Sequence, residues 1–539
     1  MNREFTMNTI DHLSNLYRQG KLSRRAFMQS AAALGLTISA ASTLAGRADA
    51  ATPKKGGTMR MGIGHGSTTD SLDPSTYENG FTALLGFAIG NNLTETGPDN
   101  VLRPELAESY EASADASVWR FKIRKGVTFH NGKALTVTDV IDSINHHRGK
   151  DSKSAAKGLL GPVTDIKADG DTVVFTLKAG NADFPAIMSD YHLSIRPSNG
   201  DGTIDWASGI GTGGYKLDKF EPGVRAEYSR YEGYWKPNAA HVDKVIQLSI
   251  IDVTARQNAL MNGEVDIIDR VDPKTVHLLK RVPTINIHET TGLLHYDFPM
   301  RLNVEPFGNA HLRMALKLSV KRKEMVDKIL LGHGVVGNDQ PLSTAVPFHN
   351  PDIAQREFDA DKAAFHYKKS GHSGAIDLSA SDAAFSGAVD AAQLMKASAK
   401  ECGIDINVIR EPADGYWSNV WNKKGWCASY WAGRPTADWM FSAAYTDDTE
   451  WNDTAWKDTP SAIKFNKLVR EARKELDQTK RQAMYYECQL LINEDGGALI
   501  PMFANYINGI SKKVGMPDQT AGNFDLDGDK AIERWWMES

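Results

Sequence analysis

The chain has 539 residues, more than a single hydrophobic core supports, so the sequence predicts two or three compact units. Hydrophobic residues make up 41% and charged residues 24%, an ordinary balance that excludes general disorder and a membrane-embedded body. The net charge of −5 argues against nucleic acid or an anionic membrane surface as the main partner, because both favour a basic face.

The first fifty residues predict an exported protein. Arg24 and Arg25 precede an Ala-rich apolar run at 31–44 and an A-x-A site that ends at Ala50. This pattern is typical of a twin-arginine (Tat) signal peptide, and the run is too short to span about 30 Å of hydrocarbon. We expect cleavage near Ala50 and release into the periplasm. The mature chain would then have 56 Lys and Arg against 64 Asp and Glu, a net charge of −8.

Short β-like and helical segments alternate from Gly56 onward, which predicts an α/β protein. The predicted strands are 58–63, 119–123, 172–177, 245–251 and 264–268. The predicted helices are 82–92, 254–262 and 310–331, with one or two more in 461–493. Gly263 is expected to end the helix of a β-α-β unit.

The run 209–214 satisfies the glycine spacing of a dinucleotide site, G-x-G-x-x-G. That site needs a helix directly after the glycines, whereas residues 215–220 alternate like a strand, so we expect a tight turn instead. The sequence has no G-x-S-x-G nucleophile elbow and no H-E-x-x-H zinc motif. Its three cysteines lack metal-ligand spacing and allow one disulfide or none. We therefore predict no cofactor and no metal.

Residues 523–528 resemble the start of a calcium loop, with carboxylates at Asp525 and Asp527 and glycine at 528. Such a loop needs a bidentate acid at its twelfth position, where this chain has Arg534. The segment is therefore expected to be a solvated C-terminal turn.

Seven ordered blocks carry a family resemblance along the mature chain. They are Leu72-Asp73-Pro74, the segments 102–110 and 119–140, Gly211-Thr212-Gly213-Gly214-Tyr215, Tyr234-Trp235, and the segments 262–266 and 303–316. In these blocks the chain resembles the extracellular solute-binding proteins of family 5, which include dipeptide, oligopeptide and nickel-complex receptors of ABC importers.

The resemblance implies a two-lobed periplasmic-binding-protein fold of type II, cluster C, with an extra subdomain in the N-terminal lobe. After a signal peptide at 1–50, residues 51–86, 200–295 and 505–539 would form lobe I. Residues 87–199 would form the insertion and 296–504 would form lobe II. Two crossing segments would join the lobes, and the ligand would lie between them.

Seven of the twelve tryptophans fall between Tyr416 and Trp456. Aromatic faces bury large areas at little conformational cost and stack on polar or cationic solutes, so this density suits a cleft wall. We expect about half of these tryptophans to lie in the core of lobe II. Trp417, Tyr430 and Trp431 are the predicted pocket residues.

In peptide-binding members of the family, the stretch that matches Trp431-Ala432-Gly433 is followed by an Asp that pairs with the amino terminus of the peptide. Arg434 takes that place here. An Arg fork matches a carboxylate and repels an ammonium, so Arg434, beside Gly433, is predicted to anchor an anionic group. The alternative is that Asp438 is the anchor.

The sequence therefore predicts a periplasmic receptor that catalyses nothing and captures a small polar solute with an anionic group, such as an amino-acid derivative or an opine. A short-peptide receptor is the first alternative and a secreted hydrolase the second. The expected partners are the small-molecule ligand and the permease subunits of an ABC transporter, with no nucleic acid, and the protein is expected to be a monomer.

Overall fold

The computed structural model describes residues 53–150, 152–154, 156–412 and 416–538, so the predicted signal peptide lies outside the described residues. The strands are β1 Thr58–Ile63, β2 Thr94–Thr96, β3 Leu102–Pro104, β4 Ala107–Ala112, β5 Val118–Ile123, β6 Val163–Asp169, β7 Thr172–Leu177, β8 Tyr215–Glu221, β9 Arg225–Arg230, β10 Lys244–Ser249, β11 Ile267–Ile268, β12 Ile285–Asp297, β13 Gly334–Val336, β14 Ile376–Ala380, β15 Ile406–Arg410, β16 Ser429–Trp431, β17 Met502–Ser511, β18 Val514–Gly515 and β19 Trp536–Met537. The α-helices are α1 Gly80–Ile89, α2 Val137–His146, α3 Lys157–Leu160, α4 Phe184–Ile187, α5 Val253–Met261, α6 Val276–Leu279, α7 Ala310–Leu318, α8 Arg322–Lys328, α9 Ala360–Ser370, α10 Ala388–Glu401, α11 Tyr416–Asn419, α12 Ala437–Ala444, α13 Pro460–Lys474, α14 Gln478–Glu494 and α15 Ala531–Arg534.

The buried apolar residues group into separate cores along the chain. One core draws on residues 59–89, 215–267 and 510–537, and we call the region around it lobe I. A second core, within 93–195, belongs to the inserted subdomain. Two further cores, within 293–504, belong to lobe II. The domain boundaries proposed from the sequence stay predictions.

A nine-stranded sheet runs through both lobes in the order β16-β12-β17-β11-β1-β10-β9-β8, with β13 also paired to β17. Strands β12 and β17 are long and antiparallel, and pair from Ile285 with Ser511 to Tyr296 with Met502. Their register shifts between Thr291 and His295. These two strands therefore carry the chain from lobe I into lobe II.

Several predicted elements are confirmed, among them the strands at 58–63 and 172–177. The predicted helix at 310–331 is instead two helices, α7 and α8. The carbonyl of Leu318, at the end of α7, accepts the backbone N–H of Asp359 at 3.1 Å, which takes it away from the helical ladder. The strand predicted at 264–268 shortens to two residues, because the N–H groups of Glu264 and Val265 bond to Ala259 at the end of α5.

The glycine-rich run at 209–214 is followed by β8, as predicted, and not by a helix. A Cβ atom on Gly211 would lie 2.0 Å from the carbonyl oxygen of Ile89 at the end of α1. Glycine is required there because two backbone segments of lobe I approach each other closely.

The inserted subdomain touches lobe II directly. The backbone N–H of Ala182 donates to the carbonyl of Arg473 at 2.6 Å. The Arg481 guanidinium lies 2.6 Å from a carboxylate oxygen of Asp183, at an angle outside hydrogen-bond geometry. The loop before α4 in the inserted subdomain is therefore in contact with helices α13 and α14 of lobe II.

The described residues contain no helix that is both long enough and apolar enough to cross a membrane. Cys402, Cys427 and Cys488 are all buried and free, so none of them forms a disulfide.

Candidate functional site

The predicted pocket residues lie beside the end of the crossing strand β12. The short strand β16 pairs with the end of β12, with Tyr430 opposite Tyr296 and Trp431 opposite His295. The chain then turns into α12, whose first turn is capped by the Thr436 side chain. This pairing places the segment 430–434 beside the strands that join the lobes.

Arg434 is partly buried and lies against aromatic faces. Its guanidinium carbon is 5.8 Å from the centroid of Trp431 and 5.9 Å from that of Trp439. One guanidinium nitrogen donates to the carbonyl of Gly433 at 2.7 Å. Within the described part of the chain, Arg434 forms no ion pair. The group is thus held in place by ring faces, and its remaining donors are available to an external anion.

Gly433 is needed for the backbone path. Its φ is +80°, and a Cβ atom at this position would lie 2.1 Å from the Cβ of Leu293 in β12. Any other residue would push the turn away from the strand. Gly433 therefore contributes by letting the Arg434 segment approach β12.

The tryptophans divide between core and cleft wall. Trp426, Trp431, Trp439 and Trp456 are buried, whereas Trp417 and Trp451 are 40% and 45% exposed. The indole N–H of Trp431 donates to Asp453 at 3.1 Å. The Trp417 ring stands nearly perpendicular to that of Tyr430, with centroids 5.4 Å apart.

Asp438 lies in the first turn of α12 and is buried. Its two carboxylate oxygens accept the Arg473 Nε–H at 3.0 and 3.2 Å. Burial raises the pKa of Asp438 above its usual value, and Arg473 offsets this effect in part. The structure thus brings Trp417, Tyr430, Trp431, Gly433 and Arg434 together, and places Asp438 nearby with a partner inside lobe II.

Arg270 lies on the opposite side of the cleft, and the sequence analysis did not find it. It follows β11 in lobe I with a φ of 49°, a left-handed conformation. Its side chain is accessible to solvent although protein groups surround it, as expected in a cleft. Burial lowers the pKa of Arg270, but Tyr430 of lobe II and Asp269 outweigh this effect and raise it.

The acidic segment near the C-terminus is buried, so the prediction of a solvated turn is wrong. Residues 526–529 all have positive φ, between 47° and 68°, and form one left-handed turn. Asp527 and Asp529 are 2% and 7% exposed. The carboxylate of Asp527 accepts the N–H of Ala521 at 2.7 Å and the Arg534 guanidinium at 3.0 Å. These bonds hold the turn against lobe I, a role that local sequence could not indicate.

Asp297 and Asp453 are two buried acids next to the predicted pocket, where Asp453 accepts the indole N–H of Trp431. Asp297, at the end of β12, is 1% exposed, and neither of its carboxylate oxygens has a hydrogen-bond partner among the described residues. Burial and the neighbouring Asp453 raise the pKa of Asp297 well above its usual value. Burial also raises the pKa of Asp453 to about 6, although the indoles of Trp421 and Trp431 oppose this effect.

We expect Asp297→Asn to stabilise the protein at about pH 8 by roughly 1–3 kcal/mol, because the amide removes a buried and unpaired charge. A carboxyl with a raised pKa in the folded state stabilises the protein below its unfolded pKa of about 4, and this contribution is lost as the pH rises through the folded pKa. The gain should therefore vanish near pH 4. Thermal melts between about pH 4 and pH 8 test this, with the exposed Asp458→Asn as control. Equal melting temperatures of variant and wild type at the higher pH would contradict it.

One cluster in the described part of the chain has the geometry to hold a metal ion: carboxylate oxygens of Glu95, Glu105 and Glu533 lie within 4.8 Å of one another. The ammonium of Lys236 lies 2.5 Å from Glu105 and 3.0 Å from Glu533. Lys530 lies 2.8 Å from both Glu95 and Glu105. These two ammonium groups and the Arg534 guanidinium, 3.4 Å from Glu95, already compensate the three acids, so the cluster is a buried ion-pair network.

Comparison with known proteins gives consistent matches. The model of the middle region of bacterial extracellular solute-binding proteins, family 5, matches residues 101–453. The dipeptide-binding protein of Escherichia coli K12 is 23% identical over 489 residues, covering 83% of this chain and 89% of that protein.

Two solved structures show the same two-lobed fold. The periplasmic binding protein AgaA from A. tumefacien R10, in complex with agropinic acid, has a TM-score of 0.75 and 22% identity, with 90% of this chain and 99% of that chain covered. DppA from Helicobacter pylori, in complex with the peptide STSA, has a TM-score of 0.76 and 20% identity at the same coverage of 90% and 99%. These relatives and neighbours are binding proteins and not enzymes.

Proposed function

The chain belongs to the bacterial extracellular solute-binding proteins of family 5, and from this premise we propose that it captures a small polar solute with an anionic group for import by an ABC transporter. An amino-acid derivative or an opine-like compound fits this description. Lobe closure would bury the solute and present both lobes to the permease. The protein would act as a monomer and release its ligand chemically unchanged.

The observation that carries the proposal is the environment of Arg434. Its guanidinium lies beside the crossing strands, is stacked near two indoles and has no acidic partner in the described chain. A planar guanidinium with free donors binds a carboxylate through two parallel hydrogen bonds. The charge at this position therefore favours an acidic group on the ligand.

A short peptide is the second candidate. The dipeptide-binding protein of Escherichia coli is as similar to this chain as AgaA is, at 23% and 22% identity. An ammonium bound at the position of Arg434 would need an acid such as Asp438, whose carboxylate already accepts two bonds from Arg473. Breaking that buried pair opposes binding, which favours the anionic solute.

The ligand can be identified from the protein itself. Native mass spectrometry on freshly purified protein, followed by extraction, should show a co-purified compound with a carboxylate or another acidic group. A ligand without any anionic group would contradict the proposal. Incubation with peptides tests the hydrolase alternative, because a receptor leaves them uncleaved.

Export through the Tat pathway is the remaining part of the proposal, carried by residues outside the described part of the chain. We expect Arg24→Lys with Arg25→Lys to leave uncleaved precursor in the cytoplasm, because the export receptor reads the paired arginines. Immunoblots of cell fractions measure this, and Arg18→Lys with Lys21→Arg is the matched control. Normal periplasmic accumulation of the double Lys variant would exclude strict Tat dependence.

A further inference from the structure

Lobe I presents two opposite charges to the cleft that have no partner. The Arg270 side chain makes no hydrogen bond and no ion pair with any described residue. The carboxylate of Asp529 likewise has none, although the residue is only 7% exposed. Burial raises the pKa of Asp529 well above its usual value, and the charges of Asp525 and Asp269 add to this effect.

The left-handed turn fixes the position of these acids. Consecutive left-handed residues other than glycine are costly, so the surrounding structure has to hold them. The hydrogen bonds that the Asp527 carboxylate accepts from Ala521 and Arg534 stabilise the turn. Asp525 accepts the Asn508 amide at 2.9 Å and the N–H of Leu526 at 2.8 Å, both through the same oxygen. The other oxygen of Asp525 and both oxygens of Asp529 accept no hydrogen bond from any residue that the structure describes.

On the lobe II side, two tyrosine side chains lie near Arg270. Tyr296 and Tyr430 lie within electrostatic range of Arg270, and their hydroxyls have no hydrogen-bond partner in the described structure. Tyr506 of β17 donates its hydroxyl to the carbonyl of Ala432 at 3.3 Å, beside the Arg434 segment, and Asn508, two residues further on, donates to Asp525 at 2.9 Å. Guanidinium and carboxylate groups from lobe I and a guanidinium from lobe II thus share one interlobe space.

A mostly buried charge without a partner is unfavourable, as at Asp529, and the solvent-accessible Arg270 nearby forms no ion pair with a described acid. We propose that they form a lobe I subsite in which Asp529 and Asp525 bind the ammonium of the ligand and Arg270 binds a carboxylate. Building on the proposed function, in which Arg434 binds a second carboxylate, the ligand is an amino dicarboxylate. An acidic dipeptide and an N-carboxyalkyl amino acid both belong to this class.

The subsite is tested by calorimetry with two probes, L-alanyl-L-glutamate and N-(1-carboxyethyl)-L-glutamine, and with their N-acetyl derivatives. Wild type should bind at least one probe at about 1 mM and bind its N-acetyl form at least ten times more weakly. Asp529→Asn should weaken binding of the free amine roughly 10-fold to 100-fold and remove the preference over the acetylated form. Arg270→Ala should weaken binding of both forms by roughly 10-fold or more.

Two exposed residues give matched controls, Asp458→Asn and Arg281→Ala, which should bind as wild type does. Thermal melts without ligand check folding. Because neutralising Asp529 removes a mostly buried charge, Asp529→Asn should melt no lower than wild type. Loss of binding in a variant that also melts lower would count against the subsite.

The outcomes separate the subsite from the proposed function. If Arg434→Ala abolishes probe binding while Asp529→Asn and Arg270→Ala bind normally, the subsite is refuted and the proposed function stands. If neither probe binds wild type, the amino dicarboxylate class is wrong. If the probes bind and all three substitutions leave binding unchanged, both proposals fail.

Discussion

Replacing Arg434 by Ala is expected to weaken binding of the co-purified ligand by roughly thirty-fold to several thousand-fold, or ~2–5 kcal/mol. The reason is that the guanidinium is partly buried beside two indoles, where little water can replace it beside the ligand's anion. Removing one member of such a pair leaves the other charge desolvated and unpaired. Arg434→Lys should recover only part of the affinity, because the point charge remains and the planar fork is lost.

Calorimetry with the ligand identified from the purified protein measures both substitutions. Arg410→Ala, on an exposed position of lobe II, is the control and should bind as wild type does. The melting temperature without ligand should change little, because Arg434 contributes only ring contacts and one bond to a neighbouring carbonyl. If Arg434→Ala binds within a factor of about two of wild type, the anionic-anchor proposal is wrong, and a peptide anchored by Asp438 becomes the favoured ligand.

The sequence predicted local elements well where the periodicity is strong. Strand β1 alternates and lies in the middle of the large sheet, and its bounds at Thr58–Ile63 match the prediction. The break between α7 and α8 could not be predicted, because it depends on Asp359, forty-one residues beyond Leu318 in the chain. Tertiary hydrogen bonds of this kind leave no local pattern.

The candidate site was predicted only on its lobe II side. The density of tryptophans and the family comparison at Arg434 both lie in one continuous segment, which a reading along the chain can find. Arg270 and Asp529 are separated by more than 250 residues, and the sheet brings them together through β11 and β17. The acidic turn was interpreted as solvated because composition alone does not show that Arg534 and Trp535 bind Asp527 from behind.

The largest effect on stability is expected at Asp339, which holds buried cations of lobe II together. It is fully buried and accepts the Arg322 guanidinium at 2.6 Å, the Arg356 guanidinium at 2.9 Å and the N–H of Ile500 at 3.0 Å. Burial alone would raise the pKa of Asp339, but Arg322 and Arg356 outweigh it and lower the pKa. Burial lowers the pKa of Lys317 to about 7, and the Asp339 carboxylate offsets part of this lowering.

Asp339→Asn keeps the shape of the side chain and removes the charge, which leaves Arg322 buried without a counter-ion and Arg356 with only the exposed Glu494, 3.3 Å away. We expect the free energy of unfolding of lobe II to fall by about 3–5 kcal/mol, measured by urea unfolding at neutral pH. Since the lowered pKa of Asp339 stabilises the fold above the unfolded value of about 4, and this contribution is lost as the pH falls through the folded pKa, the difference should shrink in acid. Asp327→Asn removes an exposed partner of Lys323 and should cost less than about 1 kcal/mol. If Asp339→Asn were no more destabilising than this control, the buried carboxylate would not be what holds these arginines in lobe II.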